Sequence, residues 1–192
     1  NVVGTIYNGL NPDEFLFDEQ CDDYYCFVGR FNPDKNPHQA MELAIEKGKK
    51  IKVAAKYEYV DDRYFRERCQ PLLDNPLVEN VLEQDDDGKT KIFSKARVNI
   101  HPTNFREPFG LTILESAYCG TPSLAIRRGS MGELIEDGKS GILVEDITEG
   151  YFKIELCEKL DRRYVSERAR RKFNYKIMSK QYVQAYENII RI

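Results

Sequence analysis

Two glutamates eight positions apart, Glu107 and Glu115, flank a Phe-Gly dipeptide within the stretch 101–120. The apolar residues after that dipeptide recur at helical spacing, and a glycine and a proline follow as stop signals (Leu111, Leu114, Ala117, Tyr118, Gly120, Pro122). The spacing predicts a helix that starts at Gly110. Glu107 is therefore expected in the loop before the helix, and Glu115 about one turn inside it.

Such a helix start could bind an anion between the two carboxylates. The amides of Gly110, Leu111 and Thr112 would be free at the positive end of the helix dipole. Helical side chains lean toward the N-terminus, so Glu115 should point back toward the same opening. This arrangement suits a ligand with a central phosphate and hydroxyl-rich groups on both sides. The alternative is an ordinary amphipathic helix with one flanking glutamate.

Two cations follow the first apolar run, which spans residues 24–28 and ends at Gly29-Arg30. The guanidinium of Arg30 and the flexible ammonium of Lys35 suit a pyrophosphate. They could also offset the charge that develops on a departing diphosphate. Gly29 fits a close backbone approach to the ligand, or simply a turn. The alternative is a pair of solvated surface cations.

Strand and helix patterns alternate along the chain, which predicts an α/β fold, a Rossmann-like parallel sheet with helices on both faces. The expected strands are 24–28, 51–55, 78–82, 98–100, 123–126 and 141–144, and the last three helices are 148–160, 162–173 and 175–190. Asn36 is expected to cap the first helix, and a polar helix from Asp61 should end near Pro71. Ligands of such sheets bind at the carboxyl ends of the strands, so Arg30, Lys35, Glu107 and Glu133 should share one rim.

Composition narrows the function further. The chain has 192 residues, no long apolar run and a net charge of -3, which argues against a membrane span and a nucleic-acid binder. Five scattered cysteines without a C-x-x-C pair favour reduced thiols in a cytoplasmic protein. Asp85-x-Asp87 could bind a metal ion, but solvated charges are the simpler interpretation. The first strand is not followed by the G-x-G-x-x-G of a dinucleotide dehydrogenase.

The motifs together resemble the C-terminal, donor-binding half of a family 4 retaining glycosyltransferase of the GT-B fold. The matching residues are Asn8-Gly9 with Phe15, Val28-Gly29-Arg30-Phe31, Lys35, Pro102-Thr103, Glu107-Pro108-Phe109-Gly110-Leu111 with Leu114-Glu115, Cys119-Gly120-Thr121-Pro122, Gly129-Ser130 with Glu133, and Asp137-Gly138 with Gly141.

The resemblance implies a role for each matched residue. Arg30 and Lys35, after Gly29, correspond to the diphosphate-binding pair, and Glu107 to the carboxylate that contacts the donor sugar. The amides around Phe109, Gly110, Leu111 and Thr112 would contact phosphate and sugar, Glu115 would hold the ribose hydroxyls, and Leu82 would lie near the base. The family transfers a sugar, of hexosyl type here, with retention and without a divalent metal or other cofactor, and the expected donor is a UDP-sugar or GDP-sugar.

Two positions depart from the family pattern. Family members often carry glycine at the position of Ala55, and a Leu-Gly pair at the position of Leu82-Glu83. The second change lies near the expected base site. It therefore leaves the base and the conformation of that loop open.

The resemblance also implies a division of the chain. Residues 1–20, which begin without methionine, would be an interdomain connector, 21–160 the nucleotide-sugar-binding domain, and 161–192 helices packed on it or on a missing N-terminal domain. That missing domain would bind a saccharide or lipid-linked acceptor, so the isolated chain should bind donor and transfer little. A non-catalytic nucleotide-sugar-binding module is the alternative.

The basic C-terminal region raises one more hypothesis about location. Its cations and interleaved apolar residues could meet anionic lipid at the inner face of the membrane (Arg162, Arg163, Arg168, Arg170, Arg171, Lys172, Lys176, Lys180; Ile177, Tyr182, Tyr186, Ile189). The alternative is a solvated face that also packs on the rest of the protein.

Overall fold

Six parallel strands form one sheet in the computed structural model, which describes residues 4–190. The strands are β1 (Tyr24–Arg30), β2 (Lys50–Lys56), β3 (Val78–Asn80), β4 (Val98–His101), β5 (Ser123–Ile126) and β6 (Gly141–Val144). Their order across the sheet is β3-β2-β1-β4-β5-β6, and every neighbouring pair is parallel. The order reverses between β1 and β4, so the loops after these two strands should border a ligand site.

Helices cover both faces of the sheet, which confirms the predicted Rossmann-like architecture. They are α1 (Pro37–Glu46), α2 (Asp62–Tyr64), α3 (Gln70–Leu73), α4 (Asp86–Lys95), α5 (Leu111–Tyr118), α6 (Met131–Leu134), α7 (Ile147–Cys157), α8 (Arg162–Lys172) and α9 (Tyr175–Ile190). Alternation along β1 sends Tyr25 and Phe27 to the face covered by α1 and α7, and Tyr24 and Cys26 to the opposite face near α4. Strands buried on both faces explain the near-continuous apolar runs in the sequence.

Two strand boundaries differ from the prediction, and at β1 the reason is that backbone pairing continues beyond the apolar run. β1 extends to Arg30, since Gly29 pairs with Ala55 and Arg30 with Lys56. β3 is shorter than expected and ends at Asn80.

The polar helix ends at Leu73, close to Pro71 as the sequence predicted. It passes from α2 through a π-helical turn (Phe65–Cys69) into α3, which contains Pro71. A proline inside a helix removes one hydrogen bond of the ladder, and the wider π-helical turn just before Pro71 is a local adjustment that accommodates it.

The prediction that Asn36 caps α1 is wrong in one respect. Asn36 does precede the helix, but its backbone is left-handed (φ 52°) and its side chain makes no capping hydrogen bond. The side-chain amide instead donates to the carbonyl oxygen of Pro102, at 3.2 Å. Asn36 therefore connects two loops at the carboxyl edge of the sheet.

Most arginines of α8 bind backbone carbonyls rather than solvent. The buried Arg162 guanidinium donates to the carbonyls of Ser94 and Ala96, at 2.6 and 2.7 Å, where α4 ends. Arg170 donates to the carbonyls of Pro12, Phe15 and Tyr118. A cation near the last carbonyls of a helix is favourable, so these arginines stabilise the packing of α8 on the domain.

The described part of the chain contains no membrane-spanning candidate, since none of the helices in residues 4–190 is both long and apolar enough. All five cysteines are free, and all except Cys21 are buried.

Candidate functional site

The loops that follow β1 and β4 lie side by side at the carboxyl edge of the sheet. Besides the bond from Asn36 to Pro102, the backbone N–H of Asn104 donates to the carbonyl of Asp34, at 2.8 Å. These two hydrogen bonds bring the loop that carries Lys35 against the loop that carries Glu107.

Lys35 and Glu107 form an ion pair across this junction. Their side chains are 16% and 14% exposed, so the pair is largely shielded from water. His101 lies beneath it, with Nε2 3.8 Å from a Glu107 oxygen. Burial, and then the charge of Lys35, lowers the pKa of His101 to about 3. His101 is therefore neutral near pH 7, and Lys35 supplies the charge that balances Glu107.

Gly129 and Ser130 hold the Glu107 loop from its other side. The N–H of Ser130 donates to the carbonyl of Glu107, at 3.1 Å, and the Ser130 hydroxyl donates to the carbonyls of Glu107 and Phe109. Gly129 has a left-handed backbone (φ 56°), and a Cβ there would lie 2.3 Å from the Glu107 carbonyl oxygen. The close approach that fixes this loop requires glycine.

The start of α5 presents unpaired amides, as the sequence predicted. Gly110 adopts φ 93° and turns the chain into the helix, which begins at Leu111. Within residues 4–190, the N–H groups of Gly110, Leu111 and Thr112 have no acceptor. They lie at the positive end of the helix dipole and can bind an anion.

Glu115 lies one turn further along α5, in a pocket beside the helix. The pocket is lined by Leu10, Glu14, Phe15, Asp86, Lys89, Thr90, Phe93 and Glu115. The Glu115 side chain is 14% exposed, and its Oε2 atom is buried with no hydrogen-bond partner in residues 4–190. Burial raises the pKa of Glu115, while Lys89, at 3.6 Å, acts in the opposite direction. A buried acceptor without a donor is unfavourable and suits the hydroxyl of a ligand.

A second cavity of about 230 Å³ adjoins this pocket and shares Lys89 with it. It is lined by Val28, Gly29, Arg30, Ala54, Lys56, Glu83, Gln84, Lys89 and Thr112. Arg30 is half-exposed and pairs with Glu58 at 3.4 Å. The cavity thus joins the first turn of α5 to the carboxyl end of β1, and its cations suit a polyanionic group.

Many of the predicted site residues lie in three neighbouring places. The first is the ion pair of Lys35 with Glu107, the second is the cavity lined by Gly29, Arg30 and Thr112, and the third is the pocket of Glu115. Others contact different groups: Phe109 packs on Tyr7 and Phe173, and Glu133 accepts a hydrogen bond from the Tyr7 hydroxyl, at 2.6 Å. Leu82 is 66% exposed with φ 63°, and the neighbouring Glu83 lines the cavity in its place.

Sequence reasoning missed Lys89, although a signal was present. Lys89 precedes Ile92, Phe93 and Ala96 on the buried stripe of α4, where a solvated lysine would not be expected. It also missed the loop-connecting roles of Asn36 and Asn104, for which the local sequence offers no signal.

In the Asp85-x-Asp87 motif, Asp85 and the intervening Asp86 both make contacts at the start of α4. Asp85 accepts a hydrogen bond from the N–H of Gly88, at 2.7 Å, and Asp86 pairs with Lys89, also at 2.7 Å. In the part of the chain that the structure describes, no three histidine, cysteine or acidic residues cluster as metal ligands would.

Known proteins are similar to this chain in sequence and in fold. The family profile described as glycosyl transferases group 1 matches residues 17–172. An uncharacterized glycosyltransferase of Methanocaldococcus jannaschii is 27% identical over 164 residues, which are 82% of this chain and 44% of that protein.

Two solved structures superpose closely. Sucrose-phosphate synthase from Thermosynechococcus elongatus matches with a TM-score of 0.84 and 20% identity, over 97% of this chain and 52% of its own. Anabaena HepE in complex with UDP and glucose also matches with a TM-score of 0.84, at 17% identity, over 96% of this chain and 57% of its own. The chain thus spans about half the length of the proteins it matches.

Proposed function

The chain belongs to the group 1 glycosyl transferases, and from that premise we propose that it binds a nucleotide-diphosphate sugar for retaining, metal-independent glycosyl transfer. The observation that carries the proposal is the unpartnered Oε2 atom of Glu115 beside the Arg30–Thr112 cavity. A ribose hydroxyl would supply the missing donor. The diphosphate would then lie in the neighbouring cavity.

The diphosphate site would be formed by backbone and side chains together. The amides of Gly110, Leu111 and Thr112 would donate to phosphate oxygens, with Arg30 next to them and Gly29 allowing a close approach. Lys35 would leave its ion pair with Glu107 and turn to the diphosphate. This exchange frees the Glu107 carboxylate to accept hydrogen bonds from the donor sugar.

Transfer would break the bond between the anomeric carbon and the diphosphate oxygen, and the electron pair would leave with the diphosphate. Arg30, Lys35 and the amides of α5 would stabilise the negative charge that develops there. These groups can neutralise the leaving group without a divalent cation. The acceptor hydroxyl would attack on the same face of the sugar and pass its proton to the departing diphosphate oxygen, which retains the anomeric configuration.

A UDP-sugar is the first donor to test, because the structurally similar HepE is described with UDP and glucose. A GDP-sugar is the second, since Glu83 changes the loop expected near the base. Calorimetry of the chain with UDP, GDP, UDP-glucose and GDP-mannose, each with excess EDTA, tests the proposal. We expect one diphosphate and its sugar to bind in EDTA. Absence of binding by all four would refute it, and binding only without EDTA would reinstate a metal.

The acceptor would bind to an N-terminal domain outside this chain, because the matched relatives are about twice as long. The acceptor would be a saccharide or a lipid-linked saccharide. In that case the isolated chain binds donor and transfers little. Assay of a full-length protein containing both halves tests this point, and donor binding without transfer there would favour a non-catalytic binding module.

As a secondary proposal, the protein is cytoplasmic and makes peripheral contact with the inner face of the membrane. The helix that supports this proposal is α9. Its apolar side chains are exposed (Ile177, Tyr182, Val183, Tyr186, Ile189, Ile190). Flotation with anionic and neutral liposomes tests the proposal. No co-flotation with anionic liposomes would refute it.

A further inference from the structure

Three arginines line an open cavity beside the Glu107 loop. Arg106 comes from the loop after β4, and Arg127 and Arg128 come from the loop after β5; Asn104 and Gly129 complete the lining. We call this cavity the arginine pocket. No carboxylate among residues 4–190 lines it, although the chain as a whole carries a net charge of -3.

The three guanidinium groups differ in how far their charge is balanced. Arg127 pairs with Asp137 at 2.8 Å and with Glu145 at 3.4 Å. Arg128 donates only to Asn104, whose backbone carbonyl and side-chain amide are neutral acceptors. Arg106 makes no hydrogen bond or ion pair within residues 4–190. Two of the three charges are therefore unbalanced by the described chain, and their repulsion would be relieved by an anion.

The position of the arginine pocket relative to Glu107 indicates which ligand group could reach it. Gly129 of the pocket packs against the backbone of Glu107, whereas the Glu107 side chain extends to Lys35 on the β1 side. The donor diphosphate would lie on that β1 side, with Gly29 and Arg30. The arginine pocket and that cavity have no lining residue in common, so a group in the arginine pocket would be distinct from the diphosphate.

We propose that the arginine pocket binds an anionic group, a phosphate or carboxylate, of an acceptor whose remaining part would lie on the N-terminal domain. The inference rests on the proposed function, which places the transferred sugar at Glu107. Arginine forms paired, charge-assisted hydrogen bonds with both kinds of anion. The pocket would then select acceptors with a negative charge close to the hydroxyl that receives the sugar.

The test uses the chain saturated with UDP and follows added glycerol 3-phosphate, gluconate or glycerol by NMR. The variants are Arg106→Gln and Arg128→Gln, and the matched control is Arg171→Gln, an exposed arginine of α8. Arg106 makes no hydrogen bond or ion pair within residues 4–190, so its replacement should not disturb the fold. We expect glycerol 3-phosphate or gluconate to bind, with about tenfold or more weaker affinity in both variants. Glycerol should not bind, and the control should match the parent chain.

Each opposing result has a defined meaning. If the parent chain binds UDP but neither anion, or binds glycerol equally well, the acceptor assignment is wrong and the donor site stands. If the parent chain does not bind UDP, GDP takes its place in the test, and binding of neither nucleotide would refute the proposed function itself. A separate titration compares UDP-glucuronate with UDP-glucose: a preference for glucuronate that Arg106→Gln abolishes would assign the pocket to the donor sugar and overturn the acceptor assignment.

Discussion

The Nζ atom of Lys35 and a carboxylate oxygen of Glu107 form an ion pair between loops that lie 72 residues apart in sequence. Both residues have a proposed ligand, since Lys35 would bind the diphosphate and Glu107 the sugar. Each group therefore serves as the other's counterion while the site is empty. Donor binding must replace this pair with two ligand contacts, and this predicts different responses to nucleotide and nucleotide sugar.

Replacing Glu107 with glutamine should separate these responses. Glu107→Gln frees Lys35, so affinity for UDP should be unchanged or higher, while affinity for UDP-glucose should fall about tenfold for lack of a charged acceptor. Calorimetry with both ligands measures this. The control is Glu155→Gln, which removes an exposed carboxylate paired with Lys47. Equal losses for both ligands would place Glu107 away from the sugar.

Replacing Glu115 should weaken UDP binding and stabilise the fold. Because burial raises the pKa of Glu115, its ionised form is less favourable folded than unfolded, and Glu115→Gln should raise the melting temperature at pH 7. The same change should weaken UDP binding by roughly 1–3 kcal/mol, the cost of losing hydrogen bonds to a charged group. Calorimetry and thermal melting measure the two effects. Glu167→Gln, at an exposed site on α8, is the control, and unchanged UDP affinity in Glu115→Gln would reject the ribose assignment.

Acid should destabilise the fold through its two buried histidines. Burial lowers the pKa of His38 to about 4 and that of His101 to about 3, below the ordinary value of 6.5. Between each folded pKa and 6.5, the unfolded state therefore binds more protons than the folded state. The stability that each neutral histidine provides is complete above pH 6.5 and is lost as the pH falls. Each should add up to ~1.4 kcal/mol per pH unit to the slope of the unfolding free energy.

Denaturant unfolding between pH 7 and pH 5 tests this slope. His38→Gln should flatten it, even though the variant also loses the contact between His38 and the Tyr64 hydroxyl, at 2.7 Å. Glu115, whose raised pKa acts in the opposite sense above its ordinary value of 4.5, should be kept unchanged in this comparison. An identical slope in the variant would show that His38 titrates normally.

Alanine at Gly129 should damage the sugar site more than alanine at Gly138. Both glycines have left-handed backbones (φ 56° and 77°), so each substitution should cost about 1–2 kcal/mol of backbone strain. At Gly129 the new Cβ would collide with the Glu107 backbone, whereas a Cβ at Gly138 would have no heavy atom of residues 4–190 within 4 Å. We expect Gly129→Ala to lose more stability and to weaken UDP-glucose binding, as read by melting and calorimetry. Equal effects would show that this packing does not position Glu107.

The sequence by itself determined the class of fold and the chemistry of individual segments. The strand–helix alternation predicted the parallel sheet, and the spacing after Gly110 predicted where α5 begins. Arg30 and Lys35 were recognised because they follow the first strand. These signals are local: each depends on residues within a few turns or one strand, so they can be read without knowing the tertiary structure.

Only the tertiary structure decided which side chains meet. The sheet order places β4 beside β1, and this brings Glu107 to Lys35, and Asn36 to Pro102. The tertiary structure also places Lys89 beside Glu115, and it brings Arg162 and Arg170 of α8 to backbone carbonyls rather than to solvent. Partners of this kind lie far apart in sequence. Their choice depends on how strands are ordered and how loops pack across the sheet edge, which no local pattern of residues specifies.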